Sequence, residues 1–131
     1  MSIEYAIIVE RFAERHFING FSRKYKGAWD ITWKGILEQF SGFDELFKTS
    51  IAETIAHDQN VKICKVEFRV YGTQESRHGS GNRCIVAVHK DTNKVCVLLV
   101  YGKTDLSGHN ETLEWKKLIA ENYPEYKEYC K

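Results

Sequence analysis

The stretch VKICKVEFRVYG, residues 61 to 72, alternates without a break. Cys64, Val66, Phe68 and Val70 fall on one side; Lys65, Glu67, Arg69 and Tyr71 fall on the other. A period of two is what a half-buried β-strand demands, and a helix cannot hide such a pattern. Two more β-rich runs follow closely. RCIVAVH (83–89) comes after a Gly-Ser-Gly loop, and VCVLLVYGK (95–103) comes after the tight turn KDTNK. The last run is apolar on both faces, which suits a central strand. Three such runs in succession predict an antiparallel meander.

The rest of the chain is built differently. IEYAIIV (3–9) reads as a first strand. In ERFAERHFINGFSRKY (10–25) apolar side chains recur every four residues through Phe12/Ala13, His16/Phe17, Gly20/Phe21 and Tyr25, so a helix is expected, with His16 partly buried as a structural histidine. AWDITWKGILEQFSG (28–42) predicts a second helix, with Asp30 as N-cap and Ser41-Gly42 as its stop. A short helical piece fits residues 43–48, whereas 49–60 fit helix, strand or both. His57 and His109 read as loop residues. ETLEWKKLIAENY reads as a last helix, opened by Asn110 or Thr112 and closed by Pro124, with a polar, frayed tail beyond. The order is β-α-α-β-β-β-α. It implies one α+β domain over residues 1–131, a twisted antiparallel sheet with helices on one face.

Charge narrows the function classes. The chain carries a net +1, but residues 62 to 103 hold eight bases against three acids, hence +5, leaving −4 elsewhere. That segregation points weakly to a polyanionic partner. The four cysteines form no C-x-x-C pair, and three lie in strand-like runs, so buried free thiols in a reducing, cytoplasmic setting are expected. The start has too short an apolar run for a signal peptide, and nothing approaches the ~20 apolar residues of a membrane span.

If the helices cover one face, side-chain parity brings the polar groups together on the other. Lys65, Arg69 and Tyr71 share a face; so do Arg83, Ala87 and His89; so do Val97, Leu99, Tyr101 and Lys103. A concave surface of fixed cations suits a phosphodiester, because Arg and Lys neutralise phosphate oxygens. Cleavage of RNA by its own 2′-hydroxyl passes through a dianionic phosphorane that preorganised cations stabilise. This chemistry needs no metal or cofactor. His89, Tyr101 or His78 would move protons, and Tyr71 and Tyr101 offer faces for unpaired bases. The same pattern also fits a merely solvated sheet face. GSGN is no P-loop, since it lacks the Gly-Lys-Ser/Thr ending and precedes a strand.

The run SGNRCIVAVHKDTNKVCVLLVYGKTDLSG, preceded by KVEFRVYGTQESRH, resembles the RelE/HigB superfamily of toxins from bacterial type II toxin–antitoxin systems. The shared features are the element order, the glycine-bearing loop ending in Arg83, and Tyr101-Gly102-Lys103 before Asp105-Leu106. The resemblance implies an mRNA endoribonuclease that works on the ribosome and inhibits translation, and a cognate antitoxin that blocks its sheet face. It assigns Arg83 as a phosphate or transition-state clamp, with Lys103 and Arg69 as further catalytic cations. Strand parity adds Lys65 and Tyr71 as RNA-binding groups, the basic loop adds Arg77 and His78, and His89 and Tyr101 join the catalytic set as the groups left to move protons. The chain departs from the pattern where many relatives carry a strand tyrosine, since Val86, Ala87 and Val88 stand there. Its last helix is also longer, and can cover or extend the site. The alternatives are a ParE-like toxin that binds DNA gyrase without cutting RNA, and an inactive relative that only binds.

Overall fold

The computed structural model describes residues 3–106 and 110–131; the expectation for His109 lies outside them. Strand β1 (Ala6–Val9) leads into a rod made of α1 (Arg11–Ala13), a π-helical turn (Glu14–Ile18) and α2 (Asn19–Lys24). Then come α3 (Ala28–Ser41), α4 (Phe43–Leu46), β2 (Ala52–His57), β3 (Val61–Phe68), β4 (Asn82–His89), β5 (Lys94–Tyr101), α5 (Glu111–Asn122) and a 3₁₀ segment (Pro124–Cys130). The α+β class holds, and the undecided stretch 49–60 supplies an edge strand.

The sheet has five strands in the order β1-β5-β4-β3-β2. β2 to β5 form the antiparallel meander, but β1 runs parallel to β5, pairing Ala6 with Lys94 and Val9 with Val97. The sheet is therefore mixed rather than wholly antiparallel. β5 is central because it is apolar on both sides, and it needs a neighbour on each edge.

That two-sided apolarity also overturns the expectation of helices on one face. The first core joins Ala13, Phe21, Trp29, Ile36, Phe40 and Phe43 from α1 to α4 to Cys64, Val66, Phe68, Cys84, Val86, Val97 and Val100. A second core lies on the opposite face. There Trp115 and Ile119 of α5, with Tyr123 and Tyr126, bury Ile63, Ile85, Ala87, Cys96, Leu98 and Leu99. The tail is thus not frayed: the Tyr123 hydroxyl donates to the Leu98 carbonyl at 2.8 Å, and Tyr126 reaches His89 at 2.8 Å. Asn110 opens α5 by accepting the Leu113 N–H at 3.1 Å.

A bulge alters the predicted parity. Ile85 pairs with Leu99 but Val86 pairs with Val97, so Leu98 is the extra residue. Val97 consequently faces the first core, while Leu99 and Tyr101 face the second. His16, expected to be half buried, is exposed and lies against the Phe12 ring, because the π-turn rotates it off the apolar stripe. The four cysteines are free thiols, three of them buried, and burial raises the Cys64 thiol to about 11. Among the described residues no helix is long and apolar enough to cross a membrane.

Candidate functional site

α5 covers only part of the second face. Beyond its first turn, polar side chains replace the apolar layer. β3 and β4 set Glu67 opposite Arg83, and β4 and β5 set Arg83 opposite Tyr101. One row away, Glu53 of β2 pairs with Lys65 of β3. These side chains share one end of one face.

Arg83 is buried there, 7% exposed. Its Nη1 donates to the Asn82 carbonyl at 2.9 Å, its Nη2 to the His78 carbonyl at 3.1 Å, and Nη2 lies 3.3 Å from Glu67 Oε2. The same carboxylate oxygen meets Nδ1 of His78. The Glu67 side chain is 16% exposed, that of His78 86%. Glu111, the first residue of α5, accepts the Tyr101 hydroxyl at 2.7 Å and lies 3.8 Å from the Lys65 ammonium. Burial first, and then the hydrogen bond and charge of Glu111, raise the Tyr101 hydroxyl far above an ordinary phenol. Its proton is directed to the Glu111 carboxylate. Glu53, Lys65, Glu67, His78 and Arg83, with Ser50 and Ile51, line a small cleft of about 90 Å³.

The loop between β3 and β4 is tied down by Ser80. Its buried hydroxyl lies 2.7 Å from the Phe68 carbonyl and 2.8 Å from that of Arg77, and accepts the Asn82 N–H at 3.1 Å. On the outer side of this loop a groove of about 580 Å³ runs between α3 and the end of β3. Ile31, Gln39, Arg69, Tyr71 and Arg77 line it, and Glu67 lines it too, so the groove and the small cleft share a wall. Tyr71 sits in the turn after β3 and is 64% exposed.

The residues picked from sequence therefore separate. Lys65, His78, Arg83 and Tyr101 converge. Arg69, Tyr71 and Arg77 line the adjoining groove. His89 stands six residues along β4 from Arg83, ~20 Å away at strand spacing, and its ring is held by Tyr126. It belongs to another part of the sheet. Lys103 lies past the end of β5 and lines a different cleft, beside Asn82. Nor is the convergence the cation cluster expected from parity: Glu53, Glu67 and Glu111 offset Lys65 and Arg83. Glu67 stands in the alternation of β3, on the same side as Lys65, but the pattern alone does not show that it lies opposite Arg83. Glu111 carried no such signal: a last helix that can cover or extend the site does not say which of its residues meets Tyr101 and Lys65. Among the described residues no group of three or more His, Cys, Asp or Glu side chains is placed to hold a metal ion.

Comparison with protein-family models, with curated proteins and with solved structures gives no match in any of the three.

Proposed function

We propose that the protein is a metal-independent endoribonuclease of the RelE/HigB toxin type, working at the Glu67 end of the sheet. The observation that carries this reading is the convergence of Glu67, His78, Lys65 and Arg83 beside a groove lined by Arg69, Tyr71 and Arg77. A single RNA strand lies in the groove, its phosphates on Arg69 and Arg77 and a base on the exposed ring of Tyr71. Glu67 takes the proton of the 2′-hydroxyl, the 2′-oxygen bonds to phosphorus, and the bond from phosphorus to the 5′-oxygen breaks. The His78 ring supplies a proton to the leaving oxygen through the nitrogen not engaged with Glu67. Lys65 offsets charge on the phosphorane. Arg83 already holds Glu67 and two carbonyls, so its part is to aim the carboxylate. A cognate antitoxin would act by covering this end, and message presented on the ribosome is the natural unpaired substrate.

The burial of Arg83 favours a second reading, in which the same end only binds, as a ParE-like gyrase ligand or an inactive relative. Mapping RNA 5′ ends after tightly controlled expression separates the two. The nuclease reading expects new 5′ ends that vanish with Glu67→Gln and with His78→Ala. Growth inhibition with unchanged RNA, and capture of gyrase, would replace it with the second reading.

A further inference from the structure

On the face opposite Glu67 lies a cleft of about 280 Å³ between α2 and the ends of β4 and β5, lined among others by Gly20, Lys24, Glu75, Asn82, Gly102 and Lys103. Three features make it a shaped site. Asn82 is only 8% exposed, yet its side-chain amide makes no hydrogen bond to any described residue; only its backbone groups are engaged. Gly102 leaves room beside that amide, since a Cβ there would stand 3.2 Å from Asn82 Oδ1 and 3.4 Å from the Phe21 ring. Gly81, at φ +75°, lets the Lys103 stem lie flat against the backbone: a Cβ on Gly81 would sit 2.8 Å from that of Lys103. The wall on the helix side is aromatic, from Phe17 within the π-turn and Phe21 and Tyr25 after it.

The charges are mixed. His16, Lys24, Glu75 and Lys103, all exposed, line the cleft, and Asp105 is engaged through Oδ2 with the Gly102 N–H at 2.6 Å. A bare anion is poorly matched to a lining that holds two lysines and two carboxylates. A guanine nucleotide matches better. Its N1–H and N2 amino group are donors that a carboxylate accepts, its O6 and N7 are acceptors for an amide N–H, and its phosphate seeks the lysines. Adenine and cytosine lack the paired imino and amino donors. We propose that this cleft binds a guanine mononucleotide, with Glu75 and Asn82 on the base edge and Lys24 and Lys103 on the phosphate. The inference is independent of the chemistry assigned to Glu67.

Two-dimensional NMR of the full chain, titrated with GMP, AMP, CMP and inorganic phosphate, tests it. GMP should shift the amides of Gly20, Asn82 and Lys103, roughly tenfold or more tighter than AMP or CMP. Glu75→Gln should erase that preference. Gly20→Leu should abolish binding without lowering thermal stability, because a Cβ on Gly20 meets nothing within 4 Å and leucine favours the helix. Equal affinity for inorganic phosphate, shifts centred on Glu67 and His78, or unaltered binding by Gly20→Leu would each overturn the proposal.

Discussion

Two ends of the same strand, β4, show opposite solutions to one problem. At the His89 end the face carries Ile85 and Ala87, and Trp115, Ile119, Tyr123 and Tyr126 seal it. At the Arg83 end, on the same face and in the same parity, charged groups meet each other and solvent. The difference is the length of the third layer. α5 has 12 residues, ~18 Å of helix, and starts at Glu111, level with Tyr101 and Lys65. What it seals is apolar or partnered, except the buried Trp115 indole N–H, which has no hydrogen-bond partner among the described residues. Everything beyond its N-terminus is free to be polar. A basic residue in a strand acquires meaning only from what lies over it.

The sealed end should break hardest. Trp115 is fully buried, and Trp115→Ala should destabilise the chain by about 4 kcal/mol, read as a lower midpoint in urea. The polar end should respond more weakly and in a different way. Glu67→Gln removes the carboxylate beside the buried Arg83 guanidinium and should cost about 2 kcal/mol, while adding Arg83→Met should recover most of that loss. If both single changes cost the same and the double change adds to them, the two groups do not act as a pair. Tyr126→Phe should cost about 1 kcal/mol by leaving His89 without its partner, and should leave the proposed RNA cleavage unchanged because it lies at the other end.

The smallest expected effect lies away from both ends, where Tyr5 and Asp44 meet Lys90. The Lys90 ammonium is 2.9 Å from Asp44 Oδ1 and 3.0 Å from the Tyr5 hydroxyl. The Lys90 hydrogen bond, and then that of Tyr5, hold the Asp44 carboxyl below its ordinary value despite opposing desolvation. A depressed carboxyl contributes stability above its unfolded pKa and loses it as pH falls through the folded value. Denaturation followed below pH 4 should therefore show Asp44→Asn converging with the parent. The gap at neutral pH should be under about 1 kcal/mol, since the pair is partly exposed.

Much of this fold was legible from pattern. The alternation of β3 and the both-sided apolarity of β5 place those strands where the structure has them. β5 also contained the clue to a second helical layer, since a strand apolar on both sides needs cover on both. β2 was obscure because an edge strand bearing Glu53 and Thr54 needs no clean alternation. The bulge at Leu98 has no residue signature, yet it decides that Val97 and Leu99 face opposite ways. For the site, Lys65 and Arg83 could be brought to one face by counting along strands. Glu111 could not, because its place depends on how α5 docks. His89 was misplaced for a simpler reason: sharing a face is not sharing a location on a strand eight residues long.

The most direct measurement is where unpaired RNA touches the chain. A short oligonucleotide with a 2′-deoxy substitution keeps the phosphate and removes the nucleophile of the proposed reaction. Its addition should shift the NMR signals of Lys65, Glu67, Arg69, Tyr71 and His78 and leave those of His89, Trp115 and Tyr126 still. Shifts confined to the sealed end, or none at saturating RNA, would contradict the division of this face into a closed half and a working half.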